Sequence, residues 1–218
     1  ESNAMVMLSE RAEPQRSPAI AANGHALAEL TGTGAADADH VDVYSCFPSA
    51  VCVQAAELGL TGDRPLTVTG GMSFGGGPLN NYVLQSTARM MDVLREDPGS
   101  TGLVTSVSGM ITKHGLGLWS TNPANKGFQA ADVSAQALAT TAMAVADPDY
   151  MGPAEVVAYT VTYEGDAPQT GIAIARAERP GALTHTVAVT TDPSLVAELV
   201  SSEGVGRRIT VTGGSFTA

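Results

Sequence analysis

Hydrophobic residues in the first 120 positions recur at helical spacing in three segments and at strand spacing in four. The helical segments begin after Ser17-Pro18, at Ala50 and at Asn81, and the last of them runs to Arg95. The strand segments are His40–Tyr44, Leu66–Thr69, Gly102–Val107 and Leu116–Ser120. Helices and strands in this order predict a layered α/β domain with a mixed sheet.

The pattern changes after Gly152, where short alternating runs replace the longer helical ones. Asp192-Pro193 predicts the start of a short helix over Ser194–Val200. Four strands are predicted, namely Val156–Tyr163, Gly171–Arg176, His185–Thr190 and Arg208–Thr212. Short strands with turn signals between them and one helix indicate a small β-rich domain of OB-like type. Such a domain could bind a ligand, or it could serve only as a packing or lid module.

These patterns divide the chain into four parts. Residues 1–16 form an N-terminal extension, 17–120 the α/β domain, 121–152 a connector and 153–218 the β-rich domain. The connector holds an alanine-rich run, Ala130–Ala146, which is predicted to be helical. Residues 1–4 have two interpretations, because Ser2-Asn3-Ala4 resembles an expression-vector remnant whereas Glu1 does not. We leave residues 1–4 out of the predicted fold.

Charge and composition exclude several classes of function. The formal net charge of −11 argues against binding to nucleic acid or to an anionic membrane surface, since both need clustered lysine and arginine. No apolar run reaches the roughly 18 residues of a membrane-spanning helix, and no secretory signal is visible. Cys46 and Cys52 are not a disulfide framework, which favours a reducing cytoplasm. No spacing of His, Cys, Asp and Glu suggests a metal site.

One glycine-rich stretch, residues 66–82, joins a predicted strand to the clearest predicted helix. Glycines let the backbone turn at positive φ and approach another group closely. The stretch lacks the Gly-Lys-Ser/Thr of a P-loop and the glycine spacing of a Rossmann fingerprint. We predict that a ligand contacts Gly75, Gly76, Gly77, Asn80 and Asn81. The alternative is a purely structural turn in which the asparagines cap the helix.

Two further residues at strand ends could carry chemistry. His114 lies in the turn between two predicted strands and could accept and return a proton near neutral pH. Tyr44 closes a strand beside Ser45 and Cys46. Each also has a structural alternative, namely a surface or hydrogen-bonded core histidine and a core tyrosine with a bonded hydroxyl. Cys46 could be a nucleophile, but no neighbour in sequence offers a base, and we expect it to be buried because cysteine is among the most buried residue types.

Three motifs carry a resemblance to a known family. His40-Val-Asp-Val-Tyr-Ser-Cys-Phe47 is similar to the strand that ends in the N-E-A-F or H-D-C-F box of the thiolase superfamily. Gly70-Gly71 through Gly76-Gly77-Pro78 resembles its G-G…G-H-P motif, and Gly102-Leu-Val-Thr105 through Val107-Ser-Gly109 resembles its G-L-A-T…C-x-G motif. Residues 9–120 therefore resemble the C-terminal half of sterol-carrier-protein thiolases and of thiolase-like proteins labelled acetyl-CoA acetyltransferase. The tail from about residue 153 resembles the extra C-terminal domain of type 1 thiolase-like proteins.

The chain departs from the family at its chemical positions. Tyr44 stands where the first box has Asn or His, Gly77 replaces the catalytic histidine of G-H-P, and Val107 replaces the acid/base cysteine of C-x-G. The family's acyl-accepting cysteine belongs to the N-terminal half, which this sequence does not contain. Claisen condensation and thiolysis need a thiol nucleophile and a second base. The resemblance therefore implies a thiolase-like acyltransferase by family, of which this chain alone is expected to be inactive as a conventional thiolase.

Two classes of function stay open. In the first, the chain is an enzyme or an enzyme subunit that acts on acyl-CoA or a similar thioester, with Tyr44 and His114 in place of the missing groups. Thiolase-like aldolases, which cleave carbon–carbon bonds of CoA esters without the cysteine, follow that logic. In the second, it is a non-catalytic module that binds acyl-CoA or a partner chain. The resemblance implies coenzyme A as part of the substrate and no bound cofactor.

Two expectations about the site and its surroundings follow from the resemblance. Tyr44, the loop Gly75–Asn81 and His114 should converge in one cleft, because all of them lie at strand-end turns where the family's motifs meet. Half of a thiolase-like fold should leave an apolar face open. We therefore expect either a homodimer or pairing with the missing N-terminal half.

Overall fold

The computed structural model describes all 218 residues and divides the chain into two compact units. Unit 1 comprises Glu1–Val6 and Arg16–Thr141, and unit 2 comprises Met7–Gln15 and Ala142–Ala218. These limits differ from the ranges drawn on the sequence, since residues 1–16 and 121–152 are each divided between the two units. No helix of the chain combines the length and the apolar character needed to cross a membrane.

Unit 1 is a layered α/β structure. Its strands are β1 (Ser2–Asn3), β2 (His40–Asp42), β3 (Thr101–Ser108) and β4 (Lys113–Ser120). Its helices are α1 (Pro18–Thr31), α2 (Pro48–Leu58), α3 (Met72–Gly75), α4 (Tyr82–Glu96) and α5 (Ser134–Thr140), and two 3₁₀ turns lie at Ala35–Asp37 and Leu79–Asn81. The sheet has the order β1-β4-β3-β2, in which β2 and β3 run parallel and the other pairs antiparallel. The predicted mixed sheet with helices is confirmed.

Helices cover both faces of this sheet. On one face, Ile20 of α1 and Leu58 of α2 pack against Leu103 of β3, which is fully buried. On the other face, Met90 and Leu94 of α4 pack against the next residue of β3, Val104. Successive side chains of a strand point to opposite faces, so β3 separates the α1/α2 layer from the α4 layer.

Two predictions for unit 1 were wrong. Residues 66–69 do not form a strand, although the N–H of Val43 donates to the carbonyl of Leu66 at 2.9 Å. The next amides of that segment donate to a side chain instead of to a neighbouring strand. Residues 1–4 belong to the fold, because Ser2 pairs with His114 and Asn3 with Lys113, so β1 extends the sheet.

Unit 2 is β-rich. Its strands are β5 (Val145–Ala146), β6 (Gly152–Glu164), β7 (Ala167–Ala177), β8 (Thr184–Thr190), β9 (Arg208–Thr212) and β10 (Ser215–Thr217), with α6 (Pro193–Ser201) between β8 and β9 and a 3₁₀ turn at Leu8–Glu10. The sheet order is β10-β9-β6-β7-β8-β5, and an additional parallel pairing of β10 with β8 closes five strands into a ring. The core inside contains Ala154, Val156, Ala173, Ala175 and Leu199.

The four predicted strands and the predicted helix of the tail lie within β6, β7, β8, β9 and α6, so these predictions are confirmed. The helix predicted over residues 130–146 is wrong in length, because α5 covers only 134–140 and residues 145–146 form β5. Composition predicted a helix there, but alanine alone sets neither a start nor an end, and no side chain caps α5.

Candidate functional site

The candidate site is built on Asp42, the last residue of β2, whose side chain is fully buried. Its Oδ2 lies 2.9 Å from the hydroxyls of Thr67 and Thr69. The same oxygen accepts hydrogen bonds from the N–H of Val68 at 2.9 Å and of Thr69 at 3.1 Å. Its Oδ1 accepts from the hydroxyl of Tyr82 at 3.0 Å. One carboxylate thus contacts residues near both ends of the glycine-rich stretch, namely Thr67–Thr69 and Tyr82, the first residue of α4.

The hydrogen bonds continue from Asp42 into the glycine loop, residues 70–81. The Thr67 hydroxyl accepts from the N–H of Gly70 and of Gly71, both at 2.9 Å. The Ser45 hydroxyl, in the turn after β2, accepts from the N–H of Met72 at 2.9 Å. Gly71 has φ +74°, and a Cβ added there would lie 3.0 Å from the Ser45 oxygen, so both conformation and space require glycine at this position.

Tyr44 is half-buried beside this network. Its ring meets the ring of Tyr82 edge-on, with the centroids 5.6 Å apart and an interplanar angle of 85°. Its backbone N–H donates to the Thr105 hydroxyl at 2.9 Å, and its carbonyl accepts from the Gln54 amide at 2.8 Å. Burial raises the pKa of Tyr44, and the nearby Cys46 raises it further. The phenol is therefore neutral near pH 7 and acts as a hydrogen-bond donor rather than as a base.

The His114 side chain contacts the start of α1 and the turn between β3 and β4. In β4 it pairs with Val107, and its imidazole Nε2 lies 3.2 Å from the hydroxyl of Ser17, at the start of α1, and 3.2 Å from the carbonyl of Ile111. It is 4% exposed. The α1/α2 layer lies on one face of the sheet, whereas Tyr44 packs on α4 at the other face. The Tyr44 ring and the His114 imidazole therefore contact helices on opposite faces of the sheet, and their shared cleft and catalytic roles stay predictions.

Of the predicted loop residues, Gly75 adjoins Tyr82, on whose ring the Tyr44 ring packs. A Cβ added at Gly75 would lie 3.5 Å from the Tyr82 ring. Gly75, Gly76 and Gly77 are exposed, as are Asn80 and Asn81. Asn81 occupies the N-cap position of α4, but no side chain caps that helix. The structural alternative for the asparagines, capping through a side chain, is therefore not realised at Asn81.

Large apolar side chains in the loop and in the segments that flank it are open to solvent. Phe74 is 86% exposed and Leu79 is 89% exposed, while Phe47 and Leu84 are each 68% exposed. No charged residue occurs between Arg64 and Arg89, although the chain carries 33 of them (22 acidic plus 11 basic). Leu79 also has a positive φ of 48°, which is uncommon for a leucine. The surface around the loop is therefore apolar, uncharged and locally strained.

Sequence reasoning missed Asp42, Gln54 and Thr105. Thr105 donates to the Gln54 side-chain oxygen at 2.6 Å, and both side chains are buried. Nothing in their spacing marks them, although a charged residue in an apolar strand pattern, such as Asp42, is a usable signal for a buried network. Burial raises the pKa of Cys46, so its thiol is protonated near neutral pH. No group of three or more His, Cys, Asp or Glu side chains in the chain could hold a metal ion.

The comparisons with known proteins bear on the fold. No protein-family model and no curated protein sequence matches the chain. Among solved structures, it is similar to a monomeric SCP2-thiolase-like protein type 1 from Mycobacterium smegmatis, with a TM-score of 0.84 and 32% sequence identity. The match covers 98% of this chain and 48% of that one, so the chain spans about half the length of the protein it matches. The chain has an SCP2-thiolase-like fold.

Proposed function

We propose that this chain handles acyl-CoA thioesters at Tyr44 and the glycine loop. One observation carries the proposal, namely a neutral tyrosine beside an exposed, glycine-rich loop in an SCP2-thiolase-like fold. The Tyr44 hydroxyl would donate a hydrogen bond to the thioester carbonyl. Asn80, Asn81 and the exposed glycines would border the same space.

The residues present argue against conventional thiolase chemistry. By the resemblance, Gly77 and Val107 stand where the family has its catalytic histidine and cysteine, and neither side chain can transfer a proton. Cys46 is a protonated thiol, because burial raises its pKa. The label acetyl-CoA acetyltransferase would therefore describe the family, and the chain alone would bind a thioester without turning it over. The alternatives are a partner-binding module and a subunit of a thiolase-like aldolase that acts on CoA esters.

Titration calorimetry tests the thioester proposal. The chain should bind acetyl-CoA or a longer acyl-CoA more tightly than free coenzyme A, because only the thioester offers the carbonyl. Tyr44→Phe should weaken thioester binding about tenfold, the effect of one buried hydrogen bond, and leave binding of free coenzyme A unchanged. Tyr163→Phe is the matched control, since Tyr163 lies in unit 2 and is 53% exposed. Equal affinities for acyl-CoA and coenzyme A would contradict the proposal.

Turnover distinguishes an enzyme from a binding module. Release of free thiol from acetyl-CoA, measured with and without an acyl acceptor, should stay at the uncatalysed rate. A Tyr44-dependent rate above that background would instead assign catalysis to this chain.

We also propose that a second polypeptide covers the apolar surface at Phe47, Phe74, Leu79 and Leu84. It is either a second copy of this chain or a chain equivalent to the unmatched half of the Mycobacterium smegmatis protein, which is described as monomeric. Interface cores are poor in charge and rich in aromatic residues, as this surface is. Light scattering separates the alternatives. A dimer that Phe74→Ser dissociates supports the first, whereas a monomer that the unmatched half converts to a heterodimer supports the second.

Unit 2 is proposed to be an OB-like domain. The strand ring β6-β7-β8-β10-β9, with α6 between β8 and β9, supports this proposal, since OB-folds are five-stranded Greek-key barrels. Because the chain is acidic, we propose that unit 2 is a packing or lid module and does not bind nucleic acid.

A further inference from the structure

We propose that Asp42 is a positioning residue that fastens both ends of the glycine loop and so fixes the shape of the acyl-CoA site. Thr67, Val68 and Thr69 contact its carboxylate before the loop, and Tyr82 contacts it after the loop. The loop between these contacts is almost entirely exposed. A single buried side chain thus contacts the residues on both sides of an otherwise open segment.

The chemistry of Asp42 points to positioning rather than to ordinary fold stability. It is fully buried, and none of the ion pairs of the chain involves it. Burying a carboxylate without a cation is expensive and is tolerated only when donors satisfy its oxygens. Here two backbone N–H groups and three hydroxyls, none of them charged, do so. An apolar residue at this position would fill the space but could not hold either end of the loop.

Besides Asp42, the segment before the loop is held by apolar packing of Leu66 and Val68 and by the Thr69 hydroxyl, which lies 2.8 Å from the Tyr82 hydroxyl. Its backbone makes one ladder-like hydrogen bond to the β2 side, from Val43 to Leu66, and the following amides turn to Asp42. The Thr67 hydroxyl, placed by the carboxylate, then accepts from Gly70 and Gly71. The carboxylate therefore orients the first loop amides through one intervening hydroxyl.

The segment after the loop is held through Tyr82, on which the Tyr44 ring packs. A preorganised loop loses less conformational entropy when a ligand binds. The expected consequence for ligand affinity rests on the proposed acyl-CoA function, whereas the effect on the loop itself does not.

The test is hydrogen exchange of residues 70–81 in the full chain without ligand. Asp42→Asn keeps the shape, but an amide offers one acceptor oxygen in place of two and adds a donor. We expect exchange in the loop to become about 10- to 100-fold faster, the size expected for hydrogen bonds to a charged group. Tyr82→Phe removes the hydroxyl that contacts Asp42 and Thr69 but leaves the amides of Val68 and Thr69 bonded to Asp42, so exchange should accelerate at residues 79–81 more than at 70–72. If Asp42→Asn does not fold, exchange in Tyr82→Phe tests whether the contact with Asp42 holds the loop.

Asp39→Asn is the matched control. Asp39 lies just before β2 and accepts hydrogen bonds from the N–H and hydroxyl of Thr101 at 2.8 and 2.9 Å, but it does not contact the loop. Loop exchange in this variant should equal that of the unsubstituted chain. The proposal is overturned if Asp42→Asn or Tyr82→Phe leaves loop exchange unchanged, or if exchange rises equally throughout unit 1.

Acyl-CoA affinity provides the second readout. At a temperature where every variant is folded, Asp42→Asn should weaken acyl-CoA binding about tenfold or more, while Asp39→Asn should not. If the unsubstituted chain binds no acyl-CoA, the proposed function fails, and the exchange result still decides whether Asp42 fastens the loop. If acyl-CoA binds and Asp42→Asn binds it equally well, the positioning role in the site is wrong.

Discussion

Buried polar side chains have different parts in the two units. In unit 1, Asp42 and Gln54 are almost completely buried, and each joins segments that are far apart in the chain. In unit 2, the core is built largely from alanine and valine, and the buried hydroxyl of Thr186 has no hydrogen-bond partner. Unit 1 therefore depends on long-range side-chain hydrogen bonds, whereas unit 2 depends on strand pairing and close packing.

This difference indicates which substitutions should destabilise each unit. A side chain that satisfies several buried groups leaves all of them unpaired when it is removed, and each unpaired group costs free energy. A side chain that only fills space costs what its packing contributes. Loss of the bonded Thr105 hydroxyl should therefore destabilise unit 1, whereas loss of the unpartnered Thr186 hydroxyl should not destabilise unit 2.

The largest expected effect comes from a matched pair of threonines. Thr105→Val removes the donor to the Gln54 oxygen and the acceptor for the Tyr44 N–H, so the free energy of unfolding should fall by about 1–3 kcal/mol. Thr186→Val replaces an unpartnered hydroxyl with a methyl group and should be neutral or stabilising. Both residues are almost fully buried, at 1% and 2% exposure. Equilibrium unfolding in urea measures the free energy of unfolding of both variants. Equal decreases in the two variants would contradict the difference between the units.

A smaller effect is expected at a helix start in unit 2. Asp192 caps α6 locally, since its carboxylate accepts from the N–H groups of Ser194 and Leu195. Asp192→Ala should lower the free energy of unfolding by about 1 kcal/mol, and Asp192→Asn should restore most of it. Ser17 holds the same position at α1, but it makes no capping bond and contacts His114 instead. If Asp192→Asn is no more stable than Asp192→Ala, the capping of α6 by this side chain does not contribute to stability as proposed.

The smallest expected effect is a change in the pH dependence of stability that comes from the imidazole of His185. Burial lowers the pKa of His185 below 6.5, and Arg176 lowers it further, while the Ser9 backbone acts in the opposite direction. A lowered folded-state pKa means that the unfolded chain binds the proton more readily, so stability is complete above pH 6.5 and declines as the pH falls below it. His185→Gln should flatten this decline in thermal melts, and the exposed His25→Gln should not. An unchanged decline in His185→Gln would refute the assignment.

Sequence patterns predicted unit 2 more fully than the site in unit 1. Strand alternation is read from neighbouring residues, and it placed four strands and α6 within their observed ranges, although it missed β10. In unit 1 the same rule predicted a strand at Leu66–Thr69. The pattern of apolar and β-branched residues is the same whether the backbone amides donate to a neighbouring strand or to a carboxylate. The partner that decides, Asp42, lies 25 to 27 residues away. Long-range side-chain bonds of this kind leave no local pattern.

The same principle explains the outcome for His114. The sequence placed His114 in the turn between two strands, whereas the structure places it in β4, paired with Val107. The face of the sheet to which its imidazole points was not predictable, because that depends on the register of β4 against β3. A shift by one residue would have turned the imidazole to the α4 layer.

The amides of Val68 and Thr69 also bear on the behaviour of the chain at high concentration. A sheet edge with free N–H and C=O groups is a template on which another chain can add a strand and begin to aggregate. Beside β2, both of these N–H groups point to the Asp42 carboxylate and are unavailable to an incoming strand. The contact that shapes the glycine loop thereby also blunts this edge against self-association.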